Sequence, residues 1–233
     1  MEAYDMKDGT PFVWNNQSNP YDNRDPRMKY TIVCNEMKWP VDPVEIWEGG
    51  TNGLPLQNAT TTGYYLKKYV NNTISFEAGS TVTKKQHNWV LFRYGEILLN
   101  YAEAMINAFH DPNYKDAVYN MSAREAVNQI RGRTNISLPG FPSDITEKDF
   151  VKRLKNERRV ELAFEGHRFW DVRRWKELGQ TANIYGVKIT KNNEVISYEK
   201  FLLETRAVTD NMYFYPIPNT CLLYTSPSPR DMR

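Results

Sequence analysis

Two glutamates, Glu157 and Glu161, lie four residues apart, each three or four residues from an arginine, Arg153 or Arg158. Paired carboxylates are the catalytic groups of most glycoside hydrolases, where they flank the bond to be cleaved, roughly 5 to 10 Å apart. Here both share one predicted helix, and the arginines would keep both ionised, so neither is suited to donate a proton. The pattern, which Glu165 continues, favours structural hydrogen bonds from arginines to carboxylates of this helix. We therefore predict no catalytic residue.

His167 and Asp171 have the four-residue spacing of metal ligands on a helix. A protein metal site needs at least three ligands, and no HExxH motif or cysteine cluster supplies the others. The cysteines, Cys34 and Cys221, have no histidine or second cysteine at metal-binding spacing. No loop resembles an EF-hand calcium loop. We predict neither a metal nor another cofactor.

Aromatic residues and arginines alternate after Gly166, with Phe169, Trp170 and Trp175 among the aromatics. Such a run could stack on nucleic-acid bases. The chain carries 30 Lys and Arg against 28 Asp and Glu, a net charge of +2 that gives no field favouring nucleic acid. We therefore predict no nucleic-acid partner and expect these rings to pack in the core and to make cation-π contacts with the preceding helix.

The first 88 residues combine aromatic rings with Asn, Asp and Gly in segments that look like loops. A sugar ring presents an apolar C–H face to a flat aromatic ring, while its hydroxyl groups seek amides and charged groups. This composition predicts a sugar-binding surface. The candidate ligand-binding residues are Trp14, Asn16, Tyr21, Trp39 and Trp47. Trp14 and Trp47, flanked by polar residues, are the stronger candidates; Trp39, beside a proline, is more typical of a core position.

Helical patterns dominate the middle of the chain. Apolar residues at three- and four-residue steps predict a helix over 90–108. A capping box at Ser122 and Glu125 predicts the start of a second helix, and Thr146 is the predicted N-cap of a third that runs to about Glu165. Gly166 fits a left-handed position, followed by a short continuation over 167–176.

Extended structure is predicted mainly outside this region. Two β-prone runs, 30–34 and 64–70, predict short strands in the first part of the chain. Residues 180–210 contain only short β-prone pieces, and we predict irregular structure over 179–220. No stretch reaches the ~20 apolar residues needed to span a bilayer, and Met1 does not begin a secretion signal.

One segment, NERRVELAFEGHRFWDVRRWKELG at 156–179, closely resembles the RagB/SusD family of outer-membrane nutrient-binding lipoproteins. Further segments resemble the family's later landmarks, in the same order. They are DGTPF (8–12), NPYDNRDPR (19–27), TGYYLKKYV (62–70), FRYGEILLNYAEA (92–104), AVNQIRGR (126–133) and YPIP (215–218). In the family these landmarks lie in the second half of a longer protein.

The resemblance implies a mainly α, SusD-like fold: a tetratricopeptide-type helical hairpin with long loop-rich segments and a few short strands. Residues 1–220 are then the carboxyl-terminal part of one domain, loop-rich over 1–88, helical over 89–178 and irregular over 179–220. Residues 221–233 depart from the family's usual ending and look like a non-native tail. The signal peptide, the lipid anchor and most of the helices are expected in a missing amino-terminal half.

In function, the resemblance implies a surface-exposed lipoprotein of the outer membrane that binds an oligosaccharide or another nutrient. The protein would deliver this ligand to a SusC-like TonB-dependent transporter, and it would touch the membrane only through the lipid anchor. An alternative is a structural lid that docks the transporter without touching the ligand. A glycoside hydrolase is a third reading, motivated only by the paired glutamates.

Overall fold

The computed structural model describes residues 1–15, 19–71 and 86–218. Its helices are α1 (Arg27–Thr31), α2 (Tyr94–Phe109), α3 (Ala123–Arg131), α4 (Glu147–Glu161) and α5 (His167–Arg174). Its strands are β1 (Ile32–Val33), β2 (Tyr65–Leu66), β3 (Asn183–Asn192) and β4 (Val195–Thr205). Two 3-10 turns, Leu178–Thr181 and Asp210–Tyr213, complete the list. The predicted mainly α class is confirmed.

Helices α2, α3 and α4 enclose one hydrophobic core. The predicted apolar stripe of α2 is buried at Leu98, Ala102 and Met105, and it packs against Val127 of α3 and Phe150 of α4. The helix begins at Tyr94 rather than near residue 90, so the residues just before it do not join this core. The three helices are therefore held together by apolar packing along matching faces.

The helix ends follow the predicted capping chemistry. Ser122 and Glu125 form a capping box at the start of α3, and the Thr146 hydroxyl accepts a hydrogen bond from the amide of Asp149 at 3.1 Å. Helix α4 ends at Glu161 rather than near residue 165, because Phe164 (φ 62°) takes a left-handed conformation. Gly166 (φ 85°) is left-handed as predicted, and α5 begins directly after it.

A second core joins the loop-rich first part of the chain to the segment after α5. Strands β1 and β2 pair in antiparallel fashion. A separate antiparallel hairpin is formed by β3 and β4. Buried side chains from the first part, such as Met28 and Ile46, meet Val187 and Ile189 of β3 and Val160 of α4 in one cluster. Helix α4 thus contributes to both cores.

The prediction of irregular structure over 179–220 is wrong for residues 183–205. They form strands of 10 and 11 residues joined through Asn193 and Glu194, with Asn193 at a left-handed φ of 54°. Asparagine tolerates this conformation, which a two-residue hairpin connection requires. Val187 and Ile189 alternate with exposed Lys188, the period-2 signal of a half-buried strand.

The aromatic residues of α5 do not pack as a group in the core. Trp175 is partly buried and lies under the ammonium group of Lys155, 5.1 Å from the ring centre, as the cation-π prediction requires. Phe169 and Trp170 instead are 41% and 55% exposed, so the prediction of core packing is wrong for them. Both rings lie against Tyr215, which anchors the end of the described chain on the outside of α5.

An apolar surface lies at the start of α2. Trp89, Leu91, Phe92 and Ile97 are each more than half exposed. Large apolar side chains exposed together in one short segment are typical of a contact surface. We call these four side chains the α2 apolar surface.

Glu157 is the centre of a buried ionic cluster that joins the two parts of the chain. Its carboxylate accepts hydrogen bonds from Arg27 of α1 at 2.5 Å and from Arg131 of α3 at 2.7 Å. All three side chains are buried. Arg27 is also paired with Asp25 at 2.7 Å. Burial alone would raise the pKa of Glu157, but the charges of Arg27 and Arg131 and their hydrogen bonds hold it below the ordinary value.

One helical turn later, Glu161 binds three guanidinium groups, of which that of Arg27 is shared with Glu157. Its carboxylate accepts from Arg93 at 2.6 Å, from Arg133 at 2.7 Å and from Arg27 at 2.9 Å. Burial would raise the pKa of Glu161, but the hydrogen bond from Arg93 and the surrounding positive charges lower it from 4.5 to about 2. The predicted structural hydrogen bonds from arginines to these glutamates are present, and they tie α4 to neighbouring parts of the chain.

Glu157→Gln is expected to destabilise the fold by about 3–5 kcal/mol, because it leaves Arg27 and Arg131 buried without their shared counter-charge. The measurement is urea denaturation of the full-length protein, meaning this chain with any residues that precede it. Glu204→Gln is the control, since Glu204 and Arg206 form a pair that is about half exposed and worth at most about 1 kcal/mol. Equal losses in the two variants would contradict the cluster's structural role.

Acid should destabilise the protein partly through Glu161. The unfolded chain takes up this proton near pH 4.5, whereas the folded protein takes it up near pH 2, so stability is complete above pH 4.5 and is lost as pH falls between these values. In that window Glu161→Gln should reduce the slope of unfolding free energy against pH by up to about 1.4 kcal/mol per unit. Identical slopes for the variant and the unaltered protein would refute this prediction.

Candidate functional site

Trp14 lies at a cavity of about 510 Å³ between the first loop, the hairpin β3–β4 and the turn that joins α4 to α5. Other aromatic residues at its wall are Tyr64, Phe164 and Tyr185. We call this space the aromatic cavity. Trp14 is half-buried, and its ring packs edge-on against Phe12 at 6.0 Å. The volume is within the range of small-molecule sites, about 300–1,000 Å³.

Backbone pairing fixes the wall of the aromatic cavity. The amide of Val187 on β3 donates to the carbonyl of Thr62 at 3.0 Å, which brings the loop before Tyr64 against the hairpin. Gly63 has a φ of 78°, and a Cβ there would collide with the carbonyl of Val187. A glycine is therefore required for this close approach, which sets the position of Tyr64.

Polar groups lie among these rings. Gln180 and Asn183 line the same cavity, as do Arg159 and Arg168. Lys200 is placed over the ring of Tyr185, 4.1 Å from its centre, and pairs with Glu2 at 2.5 Å. Flat rings beside amides and guanidinium groups can hold a sugar by its apolar face and its hydroxyl groups at once.

Trp39 and Trp47 lie outside the aromatic cavity. Both are partly buried against the second core, and each has a lysine over its ring: Lys67 at 4.7 Å from Trp39 and Lys191 at 4.4 Å from Trp47. The loop of Trp47 is tied to β3 by a hydrogen bond from the amide of Glu48 to Ile189. Neither tryptophan is brought together with Trp14 at one cavity.

Tyr21 belongs to the second core. Only 6% of its surface is exposed, and its ring meets the rings of Tyr64 and Tyr198 edge-on at 6.2 and 5.3 Å. With so little exposed surface, the ring offers no face to a sugar, so its role here is to support Tyr64 from behind. Asn16, the remaining candidate, lies outside the described residues.

Sequence reasoning missed the cationic part of the wall, Arg159 and Arg168. Basic residues are concentrated between 148 and 176, and the acids interleaved with them suggest internal pairing. The acids Glu157 and Glu161 pair with arginines of other elements, which leaves Arg159 without an ion pair in the part of the chain described here. The helical spacing of Lys152, Lys155 and Arg159 was the available signal.

The candidate metal and catalytic residues are engaged in structural contacts. Asp171 accepts hydrogen bonds from Arg158 at 2.8 Å and from Arg174 at 2.9 Å, while His167 lies 3.6 Å from Glu96. No group of three or more His, Cys, Asp or Glu side chains is placed to hold a metal within 1–15, 19–71 and 86–218. Likewise, none of the helices described there has the length and apolar character needed to cross a membrane.

Comparison with solved structures finds the same fold in proteins of Bacteroides fragilis. A SusD-like protein of that organism superimposes with a TM-score of 0.78 at 26% identity, over 97% of this chain and 44% of its own. A SusD-like carbohydrate-binding protein from the same species gives a TM-score of 0.69 at 26% identity, over 94% of this chain and 45% of its own.

Sequence comparison agrees. A SusD-like protein of Formosa agariphila is 37% identical over 91 residues, which are 36% of this chain and 16% of that protein. The chain thus spans less than half the length of these relatives. The model of the SusD family matches residues 1–223, nearly the whole chain. The chain therefore belongs to the SusD family.

Proposed function

We propose that the protein binds an oligosaccharide at the cell surface and passes it to a SusC-like TonB-dependent transporter in the outer membrane. Membership of the SusD family supports this role, and one relative with the same fold is named as carbohydrate-binding. The observation that carries the proposal is the aromatic cavity, in which Trp14, Tyr64 and Tyr185 lie beside Gln180 and Asn183.

Within this proposal the chain is the carboxyl-terminal part of a longer lipoprotein. Its signal peptide and lipid anchor would then precede residue 1, and the protein would meet the membrane only through that anchor. The proportion of each relative that the chain covers, 44% and 45%, is consistent with this organisation. Residues 221–233, expected to be a non-native tail, lie outside the described residues.

Binding in this proposal occurs without hydrolysis. Glycosidases need two carboxyl groups across the cleaved bond. Among the described residues that line the aromatic cavity, Glu2 is the only acid, and Lys200 neutralises it. Glu157 and Glu161 are buried between arginines and are held ionised, so neither can donate a proton near neutral pH.

A second candidate function is a structural lid that docks the transporter and makes no contact with the ligand. The α2 apolar surface favours it, because its four large apolar side chains are exposed within one short segment of the chain. In this alternative the aromatic cavity would be closed in the assembled protein.

Trp14→Ala should weaken glycan binding about tenfold, since it removes one aromatic face from the cavity. A glycan array followed by calorimetry on the full-length protein, prepared without its anchor, would identify the ligand and measure the change. Trp89→Ala is the matched control: it removes an exposed tryptophan that does not line the cavity. Thermal melting of each variant would establish that it is folded.

The results of these measurements distinguish the sugar-binding function from the structural lid and from a glycoside hydrolase. If the unaltered full-length protein binds a glycan and Trp14→Ala leaves that affinity unchanged, the lid is favoured. Trp47→Ala tests the second predicted contact in the same assay. If sugar products formed during the titration and Glu157→Gln abolished them in a folded protein, the non-enzymatic proposal would be wrong.

A further inference from the structure

Helix α4 has two chemically distinct faces. Lys148, Lys152, Lys155 and Arg159 follow one another at steps of four, three and four residues, which places them in one row along the helix. Glu157 lies on the opposite side, where it is buried in the ionic cluster. The carboxylates of α4 that point inward are therefore not available to neutralise the basic row.

The basic row lines a groove of about 460 Å³, to which Arg153 and Arg168 add their side chains. We call it the basic groove. Its acidic residues are Glu2, Asp5 and Glu177. Glu2 pairs with Lys200 at 2.5 Å, Asp5 faces Arg131 at 3.7 Å, and Glu177 pairs with Lys155 at 2.5 Å.

These pairings leave a positive surplus in the groove. Within the described part of the chain, Lys148, Lys152 and Arg159 make no ion pair with a carboxylate. An anion entering the groove would meet three cations that form no salt bridge among the described residues. A charged acceptor strengthens the hydrogen bonds that these groups donate.

Arg159 and Arg168 lie where the basic groove and the aromatic cavity meet, since both side chains line both spaces. Arg168 donates to the side-chain oxygen of Gln180 at 2.9 Å. Arg159 is open to the groove, yet loss of water around its guanidinium lowers its pKa. Desolvation also lowers the pKa of Arg168, and the nearby charge of Arg159 lowers it further. Both groups stay protonated. The acids that act on them are Glu2 for Arg159 and Glu177 and Asp171 for Arg168, and each of these acids has a salt-bridge partner elsewhere.

The two guanidinium groups and the neighbouring aromatic rings together indicate which kind of anion fits. A guanidinium group matches the planar carboxylate of a uronic acid, or the oxygens of a sulfate ester, with two parallel hydrogen bonds. Trp14 and Tyr185 line the adjoining aromatic cavity, where the sugar ring that carries such a group could pack, although Lys200 covers one face of Tyr185. An acidic saccharide could place its ring in the aromatic cavity and its anionic group beside the arginines, whereas a neutral one would bring no negative charge to pair with them.

We propose that the glycan bound by this protein is acidic, with a carboxylate or sulfate group held between Arg159 and Arg168 and a sugar ring against Trp14. This inference rests on the proposed function and names its substrate class. The arginine pair is the specificity-determining element, and Lys148 and Lys152 extend the positive surface along the groove for further acidic units of the same chain.

The test is calorimetry on the full-length protein with three oligosaccharides of equal length: a polyuronate, a sulfated galactan and a neutral galactan. We expect one of the acidic ligands to bind at least about tenfold more tightly than the neutral one. Its affinity should fall as the salt concentration is raised, because the contacts are ionic. The better of the two acidic ligands identifies carboxylate or sulfate as the recognised group.

The double variant R159Q/R168Q should lower the affinity for the acidic ligand by about tenfold or more. It should lower the affinity for the neutral ligand by a clearly smaller factor, because only the acidic ligand loses ionic hydrogen bonds. Arg173→Gln is the matched control. Arg173 is on the same helix as Arg168, but its guanidinium lies over Phe169 at 3.5 Å and does not line the groove or the cavity. Unchanged melting temperatures would show that both variants fold.

Three results would overturn the inference. Equal affinity for neutral and acidic ligands would remove the charge preference but leave glycan binding intact. Acidic binding that R159Q/R168Q does not alter would place the site elsewhere. Preferential binding of single-stranded nucleic acid, lost in the double variant, would assign the groove to another polymer. Absence of binding to all three sugars and across a wider glycan array would defeat the proposed function itself.

Discussion

The carboxylate of Glu157 lies between the guanidinium groups of Arg27 and Arg131, and the relative placement of the two cores depends on this contact. Arg27 belongs to the loop-rich first part of the chain, and Arg131 ends a helix of the first core. Buried charges are costly to desolvate and become tolerable only when paired with good geometry. A shift of either core would separate these groups, so the cluster selects one arrangement of largely apolar surfaces that could otherwise slide.

The same contact determines which side chains of α4 face solvent. Because Glu157 and Glu161 must face inward to meet their arginines, the row from Lys148 to Arg159 must face outward. Stability and the chemistry of the groove are thus two consequences of one helix orientation. The turn after α4 then carries Arg168 to the junction of the basic groove and the aromatic cavity.

Much of the helical fold could be predicted from the sequence because its signals are local. The capping box at Ser122 and the N-cap at Thr146 involve residues three positions apart, and apolar periodicity identifies the buried side of α2. The hairpin over 183–205 was missed because its connection uses Asn193 rather than the more familiar Asn-Gly pair. The family resemblance predicted the fold class, which local patterns alone did not determine.

The candidate site was harder to predict because exposure of an aromatic ring is decided by distant parts of the chain. Tyr21 and Trp14 occupy similar polar stretches, yet Tyr198 from β4 encloses Tyr21, while Trp14 is left at a cavity. Likewise, residue type does not distinguish Arg158, which Asp171 neutralises, from its neighbour Arg159, which lines the groove, but their positions on the helix do. On a helix, adjacent residues differ in direction by about 100°. Arg158 therefore faces its buried partner Asp171, while the next residue, Arg159, faces the groove. A basic run must therefore be divided by helical face before its charges are assigned to stability or to binding.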